Sequence, residues 1–102
     1  MTSTPHDFCD FDSYQWEAFR FVKQSISADL TYFALGLSGE VGEVNELIKK
    51  SRRDETVLDK DKLTKELGDV MYYLSQLAQC IGVELSDIAA NSLNRLHSGT
   101  EL

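Results

Sequence analysis

Apolar residues recur every three or four positions along most of the chain, and this spacing predicts α-helices. The alternation of apolar and polar residues that is typical of strands is nearly absent, and Pro5 is the single proline. We therefore expect an all-α protein of four helices. Their predicted bounds are about residues 13–26, about 30–52, a cap at Asp59 or Asp61 to about 80, and about 85–96.

Residue types at the predicted helix ends support this assignment. Asp12 is expected to cap the first helix, with Gln15 at the capping-box position. Gly82 is a natural end for the third helix. Aromatic residues spread widely round the first helix, which predicts burial on more than one side: Tyr14, Trp16, Phe19 and Phe21. In the fourth helix, the residues expected to face inward are Ile88, Ala89, Leu93 and Leu96.

A short unit occurs twice, as EVGEV at residues 40–44 and as ELGDV at residues 66–70. Each copy has two acids three positions apart, and such residues lie on one side of an α-helix about one turn from each other. In each copy the acids flank an apolar stripe, so the second and third helices are expected to pack stripe to stripe. This packing would bring four acids together: Glu40, Glu43, Glu66 and Asp69.

Four ionised carboxylates at one packed edge repel one another, because the dielectric there is reduced. Either they keep protons or cations lie among them. Oxygen ligands without cysteine or histidine favour Mg²⁺, with Mn²⁺ as a substitute. Each copy also holds a glycine inside a helix, at a cost of roughly 0.5–1 kcal/mol relative to alanine. Gly42 and Gly68 therefore suggest that a backbone or a ligand comes close there.

Composition excludes several function classes. The formal net charge is -7, and no stretch is basic enough to follow a nucleic-acid polymer. No apolar run approaches the roughly 20 residues that span a bilayer, and no signal peptide is expected. Cys9 and Cys80 are far apart and lack metal-ligand spacing, which favours reduced thiols in a cytoplasm. The length predicts one domain, residues 1–102, with a flexible N-terminus at about 1–10 and a frayed tail at 98–102.

Three segments carry a resemblance to a known family: LSGEVGEV at 37–44, Lys49-Lys50, and KELGDVMYYL at 65–74. They resemble the MazG-type all-α nucleoside triphosphate pyrophosphohydrolases, whose pattern is E-x-x-E, a variable linker and E-x-x-D. The resemblance extends over about residues 14–96. The tail departs from the family, because His97-Ser98-Gly99-Thr100 stands where members often carry a basic stretch. A phosphate contact from the extreme C-terminus is therefore left out of the predicted site.

The resemblance implies a four-helix-bundle-like domain that is completed by oligomerisation, as a homodimer or a homotetramer. It also implies Mg²⁺-dependent cleavage of nucleoside triphosphates between the α and β phosphates, which yields a monophosphate and pyrophosphate. Carried over residue by residue, the metal-binding acids of the family match Glu40, Glu43, Glu66 and Asp69. One glutamate could instead act as the general base, and the sequence does not choose between Glu40 and Glu43. The role would be the removal of unwanted nucleotides, often called house-cleaning.

Other residues are candidates for contacts with the substrate. Lys50 lies near Glu43 on the helical wheel and could reach a phosphate, although a cation at a helix C-terminus also has a purely structural reason. Trp16 could stack on a base, and Tyr73 could contact sugar or phosphate, but both also suit a core. The resemblance further implies an asparagine on the fourth helix that meets phosphate or sugar. The candidates are Asn91 and Asn94.

Two other function classes are compatible with a helical bundle. A carboxylate-bridged di-iron oxidase needs Glu-x-x-His pairs, and neither histidine lies three residues after a glutamate. A non-catalytic helical partner that retained the fold is the alternative that stays open. The aromatic-rich first fifth of the chain predicts at least a dimer, with the first helix in the interface. The expected partners are thus a nucleotide and further copies of the chain, with neither a nucleic-acid polymer nor a membrane.

Overall fold

The computed structural model describes residues 9–102. Within that range the chain forms four α-helices and a short 3-10 turn (Gln24–Ile26), and no strand. The helices are α1 (Phe11–Phe19), α2 (Leu30–Asp54), α3 (Lys60–Cys80) and α4 (Leu85–His97). The predicted all-α fold of four helices is therefore confirmed. Most of the segment that was predicted to be flexible, at about 1–10, lies outside the described residues.

The first helix begins and ends earlier than the sequence predicts. Its cap is Asp10, because the Asp10 carboxylate accepts a hydrogen bond from the Ser13 amide at 2.8 Å. The helix ends at Phe19, because the amides of residues 20–22 each bond to the carbonyl three residues back and tighten the backbone. The predicted bounds of 13–26 and the predicted cap at Asp12 are therefore wrong.

Helices α2 and α3 form an antiparallel hairpin whose ends agree with their predicted positions to within two residues. Helix α2 ends where Glu55 adopts a left-handed conformation (φ 53°) and the Thr56 amide donates to the Ser51 carbonyl. Asp59 caps α3, since its carboxylate accepts two main-chain amides at 3.1 Å. Gly82 follows the last turn of α3 with φ +71°, as predicted for a helix-ending glycine.

The buried apolar core of the described residues is small, and it consists of Phe33, Ala78 and Leu85. The Phe33 ring contacts three tyrosines, with ring centroids 5.3 Å from Tyr32, 6.5 Å from Tyr72 and 6.3 Å from Tyr73. The Tyr73 ring occupies the space where a Cβ at position 36 would lie, so Gly36 permits this close approach. Aromatic packing therefore closes the hairpin at the end that holds the start of α2.

Polar side chains of α1 hold the beginning of α4. Gln15 is buried, and its Oε1 accepts a hydrogen bond from the Leu85 amide at 2.8 Å. The Asp12 carboxylate accepts the Ser86 amide at 3.0 Å and the Ser86 hydroxyl at 2.6 Å. No side chain next to α4 along the chain caps it, so α1 supplies the partners that the first amides of this helix need. This use of Asp12 and Gln15 explains why neither forms the predicted capping box.

Several apolar side chains lie at the surface rather than in the core. Trp16 is 59% exposed and Phe21 is 85% exposed, so the predicted burial of the aromatic residues of the first helix is wrong for these two. On α4, Leu93 and Leu96 are also exposed, contrary to the inward positions that were predicted for them. The physical reason is that α4 packs mainly against the short α1 and meets too few neighbours to cover its apolar face. None of the described helices has the length and apolar character needed to cross a membrane.

Candidate metal centre

Three acids from the two repeats meet where α2 and α3 cross. Glu40 comes from α2, Glu66 and Asp69 come from α3, and each offers a carboxylate oxygen within 4.8 Å of the other two. The first acid of the first repeat, Glu40, thus faces both acids of the second repeat. The spacing of three places Glu66 and Asp69 on the same side of α3. We call these residues the acid cluster.

The charge of the acid cluster is poorly compensated. Glu40 Oε2 is buried and has no hydrogen-bond partner among the described residues. Burial raises the pKa of Glu40, and a hydrogen bond to Glu66 and the negative charges of Asp69 and Glu66 raise it further. A buried carboxylate oxygen without a partner is costly in water-poor surroundings. The site therefore favours an added proton or an added cation.

One lysine compensates part of this charge. Lys65 Nζ lies 3.1 Å from Asp69 Oδ2 and 3.4 Å from Glu66 Oε1. The same carboxylates raise the pKa of Lys65, mainly through the hydrogen bond to Asp69. Sequence reasoning did not assign Lys65 to the site, although its position four residues before Asp69 on one helix indicated that the two could meet.

Glu43 is not part of the acid cluster. It lies one turn further along α2 and lines a cavity of about 400 Å³ next to the cluster. The cavity is lined by acids and lysines from both helices of the hairpin. They are Glu43, Glu46, Glu66, Lys50, Lys62 and Lys65, and Leu47 completes the lining. The predicted proximity of Lys50 to Glu43 is therefore present as a shared cavity, in which Lys50 also pairs with Glu46 at 3.7 Å.

The acid cluster contributes to the raised pKa values of two tyrosines. Burial raises the pKa of Tyr73, and the charge of Glu40 is among the smaller causes. Burial also raises the pKa of Tyr14 on α1, with a smaller effect from the charge of Asp69. Tyr73 was a sequence candidate, whereas Tyr14 was assigned only to packing. The charge of the acids therefore contributes to the raised pKa of both phenols.

Trp16, Asn91 and Asn94 lie elsewhere in the chain. Trp16 lines a cavity of about 340 Å³ between α1, the end of α3 and the connection from α3 to α4, and none of the four acids contributes to the lining of that cavity. Its ring packs against Phe19, with centroids 5.8 Å apart. Asn91 and Asn94 are exposed on α4. Within one copy of the chain, these three candidates do not join the acid cluster.

The glycines of the two repeats have open space around them. A Cβ at Gly42 or at Gly68 would meet no atom of residues 9–102 within 4 Å, apart from its own helix. The expectation that a neighbouring backbone comes close at these positions is wrong for the single chain, because α2 and α3 approach each other at Gly36 instead. The other expectation, that a ligand approaches Gly42 and Gly68, stays a prediction.

The acid cluster fits a divalent cation. Three carboxylates from two helices converge, and one of their oxygens is buried without a hydrogen-bond partner among the residues that the structure describes. Oxygen donors without sulfur or imidazole suit hard cations such as Mg²⁺, Mn²⁺ and Ca²⁺. Glu40, Glu66 and Asp69 are the residues that could hold it, with Glu43 one turn away.

Comparisons with known proteins give the following matches. A family model for the MazG nucleotide pyrophosphohydrolase domain matches residues 29–99. The chain is similar to Gene 37 protein of Mycobacterium phage L5, with 44% identity over 73 residues. That match covers 68% of this chain and 64% of the relative, so it spans less than two thirds of the relative's length. No solved structure matches the chain. The family match contains both repeats, and α1 lies outside it.

Proposed function

Because this chain belongs to the MazG nucleotide pyrophosphohydrolase family, we propose that it hydrolyses nucleoside or deoxynucleoside triphosphates between the α and β phosphates. The products are a nucleoside monophosphate and pyrophosphate. The observation that carries the proposal is the acid cluster, in which oxygens of three carboxylates lie within 4.8 Å of one another and Glu40 Oε2 has no hydrogen-bond partner in the described part of the chain. A polyphosphate is itself anionic, so an acidic site accepts it only with cations in between.

Mg²⁺ is the proposed cation, with Mn²⁺ as a substitute. When bound, such an ion neutralises phosphate oxygens and lowers the pKa of a coordinated water. The side chains that would hold it are Glu40, Glu66 and Asp69. Glu43 is a better candidate for the general base than Glu40. Glu40 belongs to the acid cluster, whereas Glu43 lines the adjoining cavity. A carboxylate there would accept the proton of the attacking water.

The cavity beside the acid cluster is the proposed place of the polyphosphate. Its volume of about 400 Å³ and its three lysines suit an anionic chain that extends from the acids. Lys50 is proposed to contact a phosphate after it leaves its 3.7 Å ion pair with Glu46. Tyr73, whose ring packs at Gly36 about one turn before Glu40 on α2, is proposed to contact sugar or phosphate.

A homo-oligomer is proposed to complete the site. The radius of gyration is 15.9 Å, against roughly 13 Å for a compact domain of about 100 residues. Apolar side chains are exposed on all four helices, which is unusual for a monomer. Those of α1, α3 and α4 include Phe11, Trp16, Leu67, Leu74, Leu93 and Leu96. We expect at least a dimer with α1 in the interface, and light scattering at micromolar concentration tests this. A monomer would contradict it.

Trp16, Asn91 and Asn94 enter the proposal through this assembly. Trp16 is 59% exposed, so its ring is free to stack on a base that is bound mainly by another copy. The asparagines are likewise exposed on α4 and are proposed to meet phosphate or sugar in the same way. Residues 1–102 are proposed to form a single domain. A cytoplasmic house-cleaning role is consistent with nucleotide substrates and with the free thiols of Cys9 and Cys80.

The experiment is a panel of common and chemically modified nucleoside triphosphates, read by ³¹P NMR. We expect monophosphate and pyrophosphate, rather than diphosphate and phosphate, in the presence of Mg²⁺. Activity should vanish in excess chelator and return with Mg²⁺ or Mn²⁺, and turnover in excess chelator would contradict the metal-dependent mechanism. Binding of a triphosphate without any turnover across the panel would instead favour the alternative, a non-catalytic partner that retains the fold.

A further inference from the structure

We propose that Lys65 is an exchangeable counter-ion of the acid cluster: its ammonium pairs with Asp69 and Glu66 until a divalent cation displaces it, and it then turns to an anion in the adjoining cavity. The inference rests on the proposed function, because it takes the acid cluster as the metal site. It assigns to Lys65 a positioning role that couples the binding of metal to the binding of polyphosphate.

The geometry places the ammonium among the oxygens that a metal would use. Lys65 Nζ is 3.1 Å from Asp69 Oδ2 and 3.4 Å from Glu66 Oε1. Both acids belong to the group whose oxygens lie within 4.8 Å of one another. If these carboxylates bound a metal cation, the cation and the Lys65 ammonium would repel each other at such distances. The two therefore compete for the same acids.

The ion pair is of a kind that is easily broken. The Lys65 side chain is 70% exposed, so water screens its attraction to the acids. Lys65 also precedes Asp69 along α3, which is the less favourable order. An acid that precedes a lysine by four residues stabilises a helix better than the reverse. A divalent cation carries twice the charge of an ammonium and loses no side-chain freedom when it binds. Displacement is thus expected to cost little.

Lys65 also leaves the compensation of the acid cluster incomplete. Its Nζ pairs with the two acids of its own helix, while Glu40 Oε2 on α2 has no hydrogen-bond partner within residues 9–102. A cation among all three carboxylates would reach the oxygen that Lys65 does not satisfy. The cluster therefore has a reason to exchange a partial counter-ion for a complete one.

After displacement, the cavity beside the cluster can receive the ammonium. Lys65 already lines this cavity of about 400 Å³ together with Lys50 and Lys62. An anion there would meet three lysines once Lys65 no longer pairs with the acids. Without metal, Lys65 is held back by the acids and the cavity is less attractive to an anion. Metal and polyphosphate should therefore bind cooperatively through this side chain.

The first test is calorimetric titration of Mn²⁺ alone into the full chain and its Lys65→Met variant. We expect Mn²⁺ to bind Lys65→Met about two- to five-fold more tightly, which is the range that loss of a competing exposed ion pair supports. Lys62→Met is the matched control. It removes the same charge from the same cavity, but Lys62 is in none of the ion pairs found among residues 9–102. Its Mn²⁺ affinity should change little.

The second test is binding of inorganic triphosphate with Mg²⁺ in excess. Here Lys65→Met should bind the anion several-fold more weakly than the wild type, opposite in sign to its effect on metal alone. Equal Mn²⁺ affinities for the wild type and Lys65→Met would overturn the inference while leaving the metal site intact. Equal gains in both lysine variants would also overturn it, because they would reveal only the general charge of the cavity. Unchanged triphosphate affinity would overturn the coupling, and the absence of metal binding in every protein would overturn the proposed metal site itself.

Discussion

The α2–α3 hairpin and the α1–α4 pair are held together in different ways. In the hairpin, two long helices of 25 and 21 residues pack along their lengths and bring charged groups of like sign together at Glu40, Glu66 and Asp69. In the α1–α4 pair, helices of 9 and 13 residues meet through a few hydrogen bonds from Asp12 and Gln15. The hairpin carries the family pattern, whereas α1 lies outside the family match.

We infer from this difference that the hairpin carries the acids of the candidate site, whereas the α1–α4 pair serves stability and association. The acids are fixed by the periodicity of two helices that pack against each other, so the acid cluster forms within one chain. The α1–α4 pair exposes apolar side chains such as Trp16 and Leu93 and depends on single polar contacts. We therefore expect substitutions in the hairpin to affect turnover first, and substitutions in the α1–α4 pair to affect stability and association first.

The largest expected effect is on turnover. Glu40→Gln, Glu66→Gln and Asp69→Asn each keep the shape of the side chain and remove a charge from the acid cluster. Each should lower turnover by about 100-fold or more, since even outer partners of metal ligands are typically worth 10- to 100-fold. Pyrophosphate release measures it, with circular dichroism as the control for folding. A variant that retained the wild-type rate would remove that residue from the site.

Gln15→Ala should weaken the contact between α1 and the beginning of α4. It would leave the Leu85 amide and the Val83 carbonyl, which Gln15 contacts at 2.8 and 2.9 Å, without partners. Each buried group left unpaired costs about 1–3 kcal/mol, so the free energy of unfolding should fall by roughly 2–4 kcal/mol. Urea denaturation measures this loss.

The control for Gln15→Ala is Gln24→Ala, at an exposed position of the 3-10 turn. A surface substitution of this kind should stay within about 0.5 kcal/mol of the wild type. If the two variants lost the same amount of stability, the hydrogen bonds from α1 to α4 would not be the contacts that hold this pair.

Two glycines of α2 should respond to substitution by alanine in opposite ways. Gly36→Ala should destabilise the fold by about 1–3 kcal/mol, because the added Cβ would meet the Tyr73 ring. Gly42→Ala should instead stabilise the isolated chain by about 0.5–1 kcal/mol, because its Cβ meets nothing within 4 Å. Thermal unfolding at fixed concentration compares them. Gain of stability with loss of turnover in Gly42→Ala would indicate that a ligand approaches this position.

The smallest effects concern pH, and the two regions should respond in opposite directions. The folded state raises the pKa of Glu40 above its ordinary value of 4.5, so it holds more protons there than the unfolded chain. This stabilising contribution is complete below pH 4.5 and is lost as the pH rises through the raised pKa. In metal-free protein, the Glu40→Gln variant should therefore not show this decrease in stability as the pH rises. A difference in stability between variant and wild type that did not change with pH would contradict this.

Asp12 should behave in the reverse sense. Its hydrogen bonds from Ser86 lower its pKa below the ordinary value of 3.8. The folded state therefore releases this proton more readily, and the stabilisation is present above pH 3.8 and is lost as the pH falls through the lowered pKa. Asp12→Asn should thus lose most stability, relative to the wild type, near neutral pH. Urea denaturation from acid to neutral pH measures both variants, and equal curves for Asp12→Asn and the wild type would contradict the assignment.

Local signals made the hairpin predictable. Asp59 and Gly82 act on their own helix ends, and the spacing of three fixes Glu66 against Asp69 whatever the rest of the chain does. The position of Glu43 was harder to predict, because a shared helix face does not say which acid of a pair meets the opposite helix. Lys65 was missed for a related reason, since the direction of its side chain depends on where the carboxylates of Glu66 and Asp69 lie.

Long-range contacts made α1 unpredictable. Asp12 has the residue type and position of a cap, yet its carboxylate bonds to Ser86, 74 residues away. Gln15 likewise turns to Leu85, 70 residues away, and a local pattern contains no trace of that contact. The exposure of Trp16 follows from how few helices surround α1 in one chain. Sequence periodicity reports that a face is apolar, but it does not report whether the same copy covers it.

The melting temperature with and without Mg²⁺ tests the central claim, that Glu40 and its two neighbours hold a divalent cation. At a concentration one hundred times the dissociation constant, a cation bound only by the folded state stabilises it by about 2.7 kcal/mol, which is on the order of 10 °C for a domain of this size. We predict such a shift for the wild type at fixed protein concentration and its loss in Glu40→Gln, with a smaller loss in Glu43→Gln, whose carboxylate lies outside the cluster. An undiminished Mg²⁺ shift in Glu40→Gln would contradict the account.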